Sequence, residues 1–165
     1  MAEDTYCIDA SSLINLKQYY RRKVFSGVWY KIEELVRTGR LIAPDEVRRE
    51  VEKDDLLGPW AKKNKKMFRK PDQGQMDAAR DVITRFPDLA KPGKFGPAAD
   101  PFVVALAHLE EQSKSSSLLQ QESKCVVVTD ERRTHGIPVA CKHYNLTCVT
   151  LVDLFDREGW EFVGR

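Results

Sequence analysis

The chain of 165 residues has no apolar run approaching the ~20 residues that cross a bilayer, which excludes a membrane-spanning helix. Its start, MAEDTYC, is acidic and lacks the basic and long apolar regions of a secretory signal, so a cytoplasmic protein is expected. There is no CxxC pair. The four cysteines, Cys7, Cys125, Cys141 and Cys148, sit in or beside apolar segments and read as reduced core thiols. Cys141, His143 and Cys148 fit no common zinc spacing. A P-loop, a Rossmann glycine fingerprint and a GxSxG elbow are all missing, so the chemistry those motifs carry has no support. Net charge is only +2, so bulk charge does not announce a nucleic-acid partner, and any basic footprint has to be local.

What is present is an alternation of short apolar strands and amphipathic helices. One domain spanning residues 1–165 is expected, since this length buries an independent core. Residues 5–9 read as a strand and a helix follows from about Ser12. Val28, Trp29, Ile32, Leu35 and Val36 recur at helical spacing, with Gly39 as the stop. A brief strand at residues 41–43 leads into a helix opened by Pro44. GQMDAARDVITRF reads as a helix, PDLAKPGKFGPAAD as a loop, and residues 101–112 as a helix. EQSKSSSLLQQESK is read as a polar surface excursion. The β-branched run CVVVT, residues 125–129, has the pattern of a central strand covered on both faces. A short helix, a strand at 146–150 and a helix at 151–158 follow, and GWEFVG suggests a last edge strand. The alternation implies an α/β fold, a three-layer α/β/α sandwich around a largely parallel sheet. In such sheets, sites lie at the C-terminal ends of the strands.

Two of these strands end in acids. Asp9 closes the first; Asp130 and Glu131 close the central one. Glu50 lies on the helix after the second strand, and Asp100 opens the helix ADPFVVALAH. Together they form a candidate hard-cation site for Mg²⁺ or Mn²⁺ with room left for a phosphate. Such an ion lowers the pKa of a bound water and offsets phosphodiester charge. Each acid also has a plain structural role open to it. Asp9 can cap the helix beginning near Ser12, and Asp100 before Pro101 suits an N-cap. Glu46 reads as a solvated first-turn acid, and Glu50 alone would be surface charge. His108 reads as an ordinary helix residue and His135 as a loop histidine near the last acids.

The ordered segments CIDASSLINL, APDEVRREV, AADPFVVALAH and VVVTDE resemble the PIN domain superfamily, the fold of VapC-type toxin ribonucleases. The closing IPVACKHYNLTCVTLVDLFDREGWEF resembles a PIN-like branch classed as a domain of unknown function. The resemblance implies an α/β/α domain whose acids bind Mg²⁺ or Mn²⁺ and hydrolyse RNA, leaving a 5′-phosphate and a 3′-hydroxyl. Carried over by position, the acids are Asp9, Glu50 in the P-x-x-V-x-x-E-V spacing, and Asp100 in D-x-hydrophobic-hydrophobic-x-A. The fourth is Glu131 or its neighbour Asp130. Ser11 and Thr129 would support them. The implied partners are RNA and a cognate antitoxin, and a homodimer is compatible with the family. A catalytically silent RNA- or protein-binding module and a metal-dependent DNA nuclease are the alternatives.

The local basic footprint is WAKKNKKMFRK, residues 60–70. Lys62, Lys63, Lys65 and Lys66, with Arg48, Arg49 and Lys53 nearby, form a candidate phosphate-tracking surface. Trp60 and Phe68 are placed to stack on unpaired bases or else belong to the core. Arg132 and Arg133, beside the fourth acid, are further phosphate contacts.

Overall fold

The computed structural model describes residues 3–91, 98–119, 122–131 and 136–163. In chain order these form β1 (Thr5–Ile8), α1 (Ala10–Tyr19), α2 (Ser26–Arg37), β2 (Leu41–Pro44), α3 (Asp45–Val51) and α4 (Leu57–Lys63). Then come β3 (Phe68–Arg69), α5 (Gln73–Arg85), α6 (Asp100–Ser116), β4 (Cys125–Val128), α7 (Ile137–His143), β5 (Cys148–Val149) and α8 (Leu151–Arg157). Single 3₁₀ turns occupy Lys65–Met67 and Pro87–Ala90. The sheet runs β3-β2-β1-β4-β5 with every pair parallel, and helices cover it in a three-layer α/β/α sandwich.

Every residue of β1, β2 and β4 is buried, as an apolar strand between two helical layers must be. In register, Cys7 stands between Ile42 of β2 and Val127 of β4. The five predicted apolar positions of α2 are all buried, and Gly39 follows that helix with φ +75°, a conformation glycine adopts freely. From β1 the chain winds outward to β2 and β3, then returns across β1 to build β4 and β5. The winding therefore reverses between β1 and β4, and their C-terminal ends open a crevice there.

Four expectations are corrected. GWEFVG is not an edge strand. Its rings fold back onto α8, Trp160 stacking on Phe155 at 5.3 Å and Phe162 meeting it at 6.5 Å, so apolar burial is achieved without strand pairing. Residues 68–69, inside the charge run, do form a strand, because Met67 and Phe68 are buried between exposed lysines. Helix α6 continues to Ser116, into the segment read as a surface excursion. Strand β5 is only Cys148–Val149. Among the described residues, no helix is long and apolar enough to cross a membrane.

Candidate functional site

Asp9 immediately follows β1, at the crevice. Its side chain caps α1: the Ser12 N–H donates to Oδ1 at 2.9 Å. Ser11 Oγ donates to the same carboxylate at 2.9 and 2.8 Å, and Thr129 Oγ1, just beyond β4, donates to Oδ2. The residue is 2% exposed. Burial pushes its pKa up, while the bonds from Thr129, Ser12 and Ser11 oppose that rise. The cap takes one lone pair of Oδ1, and the hydroxyls of Ser11 and Thr129 hold the rest of the group in one orientation.

Glu50, half-buried on α3, accepts the Ala99 N–H on Oε1 at 2.8 Å. Burial raises its pKa, the Ala99 bond lowers it, and the charge of Asp9 raises it again. The two carboxylates are electrostatic neighbours although 41 positions separate residue 50 from residue 9. Asp100 is the first residue of α6. Ala99, not Asp100, is its N-cap residue, and that position makes no side-chain cap bond. Glu50 serves the Ala99 N–H from another element instead.

Glu131 donates its N–H to Thr129 Oγ1 at 3.1 Å, and its carboxyl packs on Gly136, where an added Cβ would come within 2.9 Å of Cδ. Asp130 donates its N–H to Ser11 Oγ at 3.3 Å, but its carboxylate turns away to accept from Asn15 Nδ2 at 2.8 Å and the Leu151 N–H at 2.9 Å. Asp100, Glu50, Asp9 and Glu131 thus follow one path of contacts through Ala99 and Thr129. Asp130 joins it by backbone, with its head on the far side. The donor set suits a hard divalent ion: carboxylate oxygens, with neutral groups rather than cations bonding Asp9 and Glu50. Among the described residues, no three His, Cys, Asp or Glu side chains are grouped closely enough to hold an ion as they stand.

The remaining candidates are dispersed. Glu46 is not solvated: it is 8% exposed, burial raises its pKa, and its Oε2 has no hydrogen-bond partner among the described residues. The seven-residue α3 is enclosed by α1, α4 and β3, which the sequence pattern of so short a helix does not disclose. Trp60 and Phe68 are core residues and cannot stack on bases; Trp60 packs on Trp29 and donates to Glu33 Oε1 at 3.0 Å. Lys62, Lys63, Lys65 and Lys66 are exposed, the first two at the end of α4 and the last two in the turn on the N-terminal side of β3. Arg69 pairs with Pro44 at the other end, and the charge of the adjoining Lys70 acts on Asp45. Arg48 is held by Asp45 at 2.7 Å, which also holds the Asp45 carboxyl below its usual range. Arg132, Arg133 and His135 lie outside the described residues. His108 is half-buried against Tyr144 at 4.9 Å, and burial lowers its pKa.

All four cysteines are free thiols. The thiols of Cys141 and Cys148 influence each other, which lowers the pKa of Cys148 and raises that of Cys141. His143 faces Phe86 and Tyr144. Asn15 and Gly136, which fix the two last acids, went unrecognised in the sequence because neither carries a motif.

A family model described as Domain of unknown function (DUF4411) matches residues 6–162, nearly the whole chain. No curated protein matches it.

Proposed function

The chain belongs to the DUF4411 family, and we propose that it is a PIN-like, metal-dependent endoribonuclease, the toxin of a toxin–antitoxin pair. The observation that carries this reading is the buried Asp9 carboxylate at the reversal of the sheet, with Glu50 as its electrostatic neighbour, Asp100 next to the Ala99 that bonds Glu50, and Glu131 tied by its N–H to the Thr129 that bonds Asp9. Burying Asp9 with Glu50 beside it carries a cost of desolvation and repulsion, against which stand the hydrogen bonds of the helix cap and of Ala99. A divalent ion removes that repulsion.

Asp9, Asp100 and Glu131 would hold Mg²⁺ or Mn²⁺, with Asp130 the alternative to Glu131. When bound, the ion would supply positive charge against the phosphodiester and acidify a water. The protein's own contribution is orientation. Ser11 and Thr129 fix the Asp9 carboxylate, and the Ala99 N–H fixes Glu50. The raised pKa of Glu50 suits it to take a proton near the reacting phosphate. RNA cleavage of this kind belongs to the cytoplasm, and an antitoxin would restrain it. A second copy of the chain is compatible with this scheme.

A second reading has its own support. The bonds of Asp9 to Ser12 and of Glu50 to Ala99 are structural, so a silent PIN-like module that binds RNA or protein would keep them too. Labelled RNA and single-stranded DNA incubated with the protein, with and without divalent ion, separate the readings. RNA cleavage that needs the ion and is lost in Asp9→Asn supports the proposal. Binding without cleavage supports the silent module, and preferential cleavage of DNA makes it a DNA nuclease.

A further inference from the structure

The Asp130 carboxylate, turned away from the other acids, forms part of the lining of a cavity of about 590 Å³. Asn15, Tyr19 and Tyr20 supply one wall from α1 and its C-terminal turn; Thr150, Leu151, Val152 and Asp153 supply the other from α8. The volume lies within the range of about 300–1,000 Å³ usual for small-molecule sites. It adjoins the candidate active site directly, because Asp130 N–H bonds Ser11 Oγ and Ser11 Oγ bonds Asp9.

We propose that this cavity is a nucleobase subsite, taking a base adjacent to the scissile phosphate and favouring bases that carry an exocyclic amino group. The inference rests on the nuclease reading. Its argument is chemical. Among the described residues no Lys or Arg lines the cavity, and two of its lining residues are acids. Its polar groups are rich in acceptors: the carboxylates of Asp130 and Asp153, whose protein bonds use only part of their lone pairs, and the amide oxygen of Asn15, which suit the amino group of adenine, cytosine or guanine. Tyr19, 63% exposed, offers a flat ring at the rim. Tyr20 beside it is braced edge-on by Phe25 at 5.6 Å and Phe155 at 5.3 Å, so this wall is fixed before any ligand arrives. Asn15 is also fixed: its Nδ2 is committed to Asp130, which leaves its oxygen as the acceptor.

The rival occupant is a cationic segment of a partner protein, which two carboxylates would also accept. The test uses Val152→Trp, which fills the cavity from a position 55% exposed, and Tyr19→Ala, which removes the ring. Neither residue belongs to the acid cluster, and both are exposed enough to be replaced without disturbing the core. Fluorescence anisotropy in EDTA measures binding of four labelled RNAs that differ only in base type. Hydrolysis of bis(para-nitrophenyl) phosphate with Mn²⁺, which has no nucleobase, is followed in parallel.

The wild-type protein should prefer one of the amino-bearing bases over uracil. Each variant should lose that preference and bind roughly tenfold more weakly, with bis(para-nitrophenyl) phosphate hydrolysis unchanged. RNA binding equal to wild type in both variants overturns the subsite while leaving the nuclease reading intact. An arginine-rich peptide whose binding is lost in Val152→Trp, with RNA binding retained, also overturns it and assigns the cavity to a protein partner. Base preference lost in the variants, with no metal-dependent hydrolysis by any form, supports the subsite and overturns the nuclease.

Discussion

The two ends of the parallel sheet handle charge in opposite ways. At the N-terminal end, Arg40 grips Glu158 through bonds of 2.6 and 2.8 Å, Tyr6 donates to the same carboxylate at 2.8 Å, and Arg157 meets Asp4 at 2.7 Å. Each charge there has an opposite partner, and the pairs tie α8 to the strands β1 and β2. At the C-terminal end, the charge of Asp9 raises the pKa of Glu50, and among the described residues both acids bond only hydroxyls and backbone N–H groups. One end spends its charges on holding the fold; the other keeps like charges together in a crevice. Folding alone explains the first arrangement; the second is the one that the proposed cation would relieve.

The largest expected effect comes from the acid end. Asp9→Asn should lower metal-dependent RNA cleavage by at least about a hundredfold, since a hard cation loses an anionic ligand. Without metal the same variant should be as stable as wild type or more so. The sign follows from the raised pKa values of Asp9 and Glu50, which lie above the ordinary 3.8 and 4.5. The folded state binds these protons more tightly than the unfolded chain does. Their contribution to stability is therefore complete below the ordinary values and is lost as pH rises through the raised ones. Urea unfolding between about pH 4 and about pH 7 should show a shallower decline in Asp9→Asn. Added Mg²⁺ or Mn²⁺ should stabilise wild type more than the variant. A variant that gains nothing and still cleaves would make the two ends alike.

Next comes the paired end. Arg40→Ala leaves Glu158 and Tyr6 without their cation in a partly buried setting and should cost about 2–3 kcal/mol in urea unfolding. Cleavage measured well below the new melting temperature should stay unchanged. A loss of activity at that temperature would show that the two ends are coupled.

A smaller effect is expected from Gly136→Ala. The new Cβ displaces the flexible end of Glu131 rather than backbone, so the melting temperature should hold. If Glu131 is the fourth ligand, cleavage should fall about tenfold, as expected when the group holding a ligand is disturbed. Unchanged cleavage would return the role to Asp130.

The smallest effect concerns where RNA runs. Removing Arg69 and Lys70, at the acid-bearing end, should flatten the salt dependence of RNA binding by about 1.4 logarithmic units per decade of salt. Replacing Lys62, Lys63, Lys65 and Lys66 with alanine should change it less for each charge removed. The reverse order would put the RNA across the opposite end of the sheet.

Much of this molecule was legible because local pattern and tertiary role agree. CVVV could only be a strand covered on both faces, and the five apolar positions of α2 could only face a core. Asp9 was legible as both cap and candidate ligand, because the strand-to-helix turn makes the first use and leaves the second. Glu46 misled because helical spacing in seven residues does not say which neighbours will close over a face. Strand β3 was hidden because two buried residues inside a lysine run leave no alternation to detect. The aromatic residues of GWEFVG alternate like a strand yet found their apolar cover on the adjacent helix.

The sequence by itself determined the α/β class, the alternation of the strands β1, β2 and β4 with the helices around them, and the positions of Asp9, Glu50, Asp100, Asp130 and Glu131 along that alternation. These follow from periodicity and turn chemistry, which act over a few residues. Only the tertiary structure decided that Glu50 bonds Ala99 beside Asp100, that Thr129 reaches Asp9, and that Asp130 turns toward Asn15 and a cavity while Glu131 packs on Gly136. Those outcomes depend on where the winding of the sheet reverses. Contacts between residues far apart in sequence exist only once the strands have paired and the helices have closed over them.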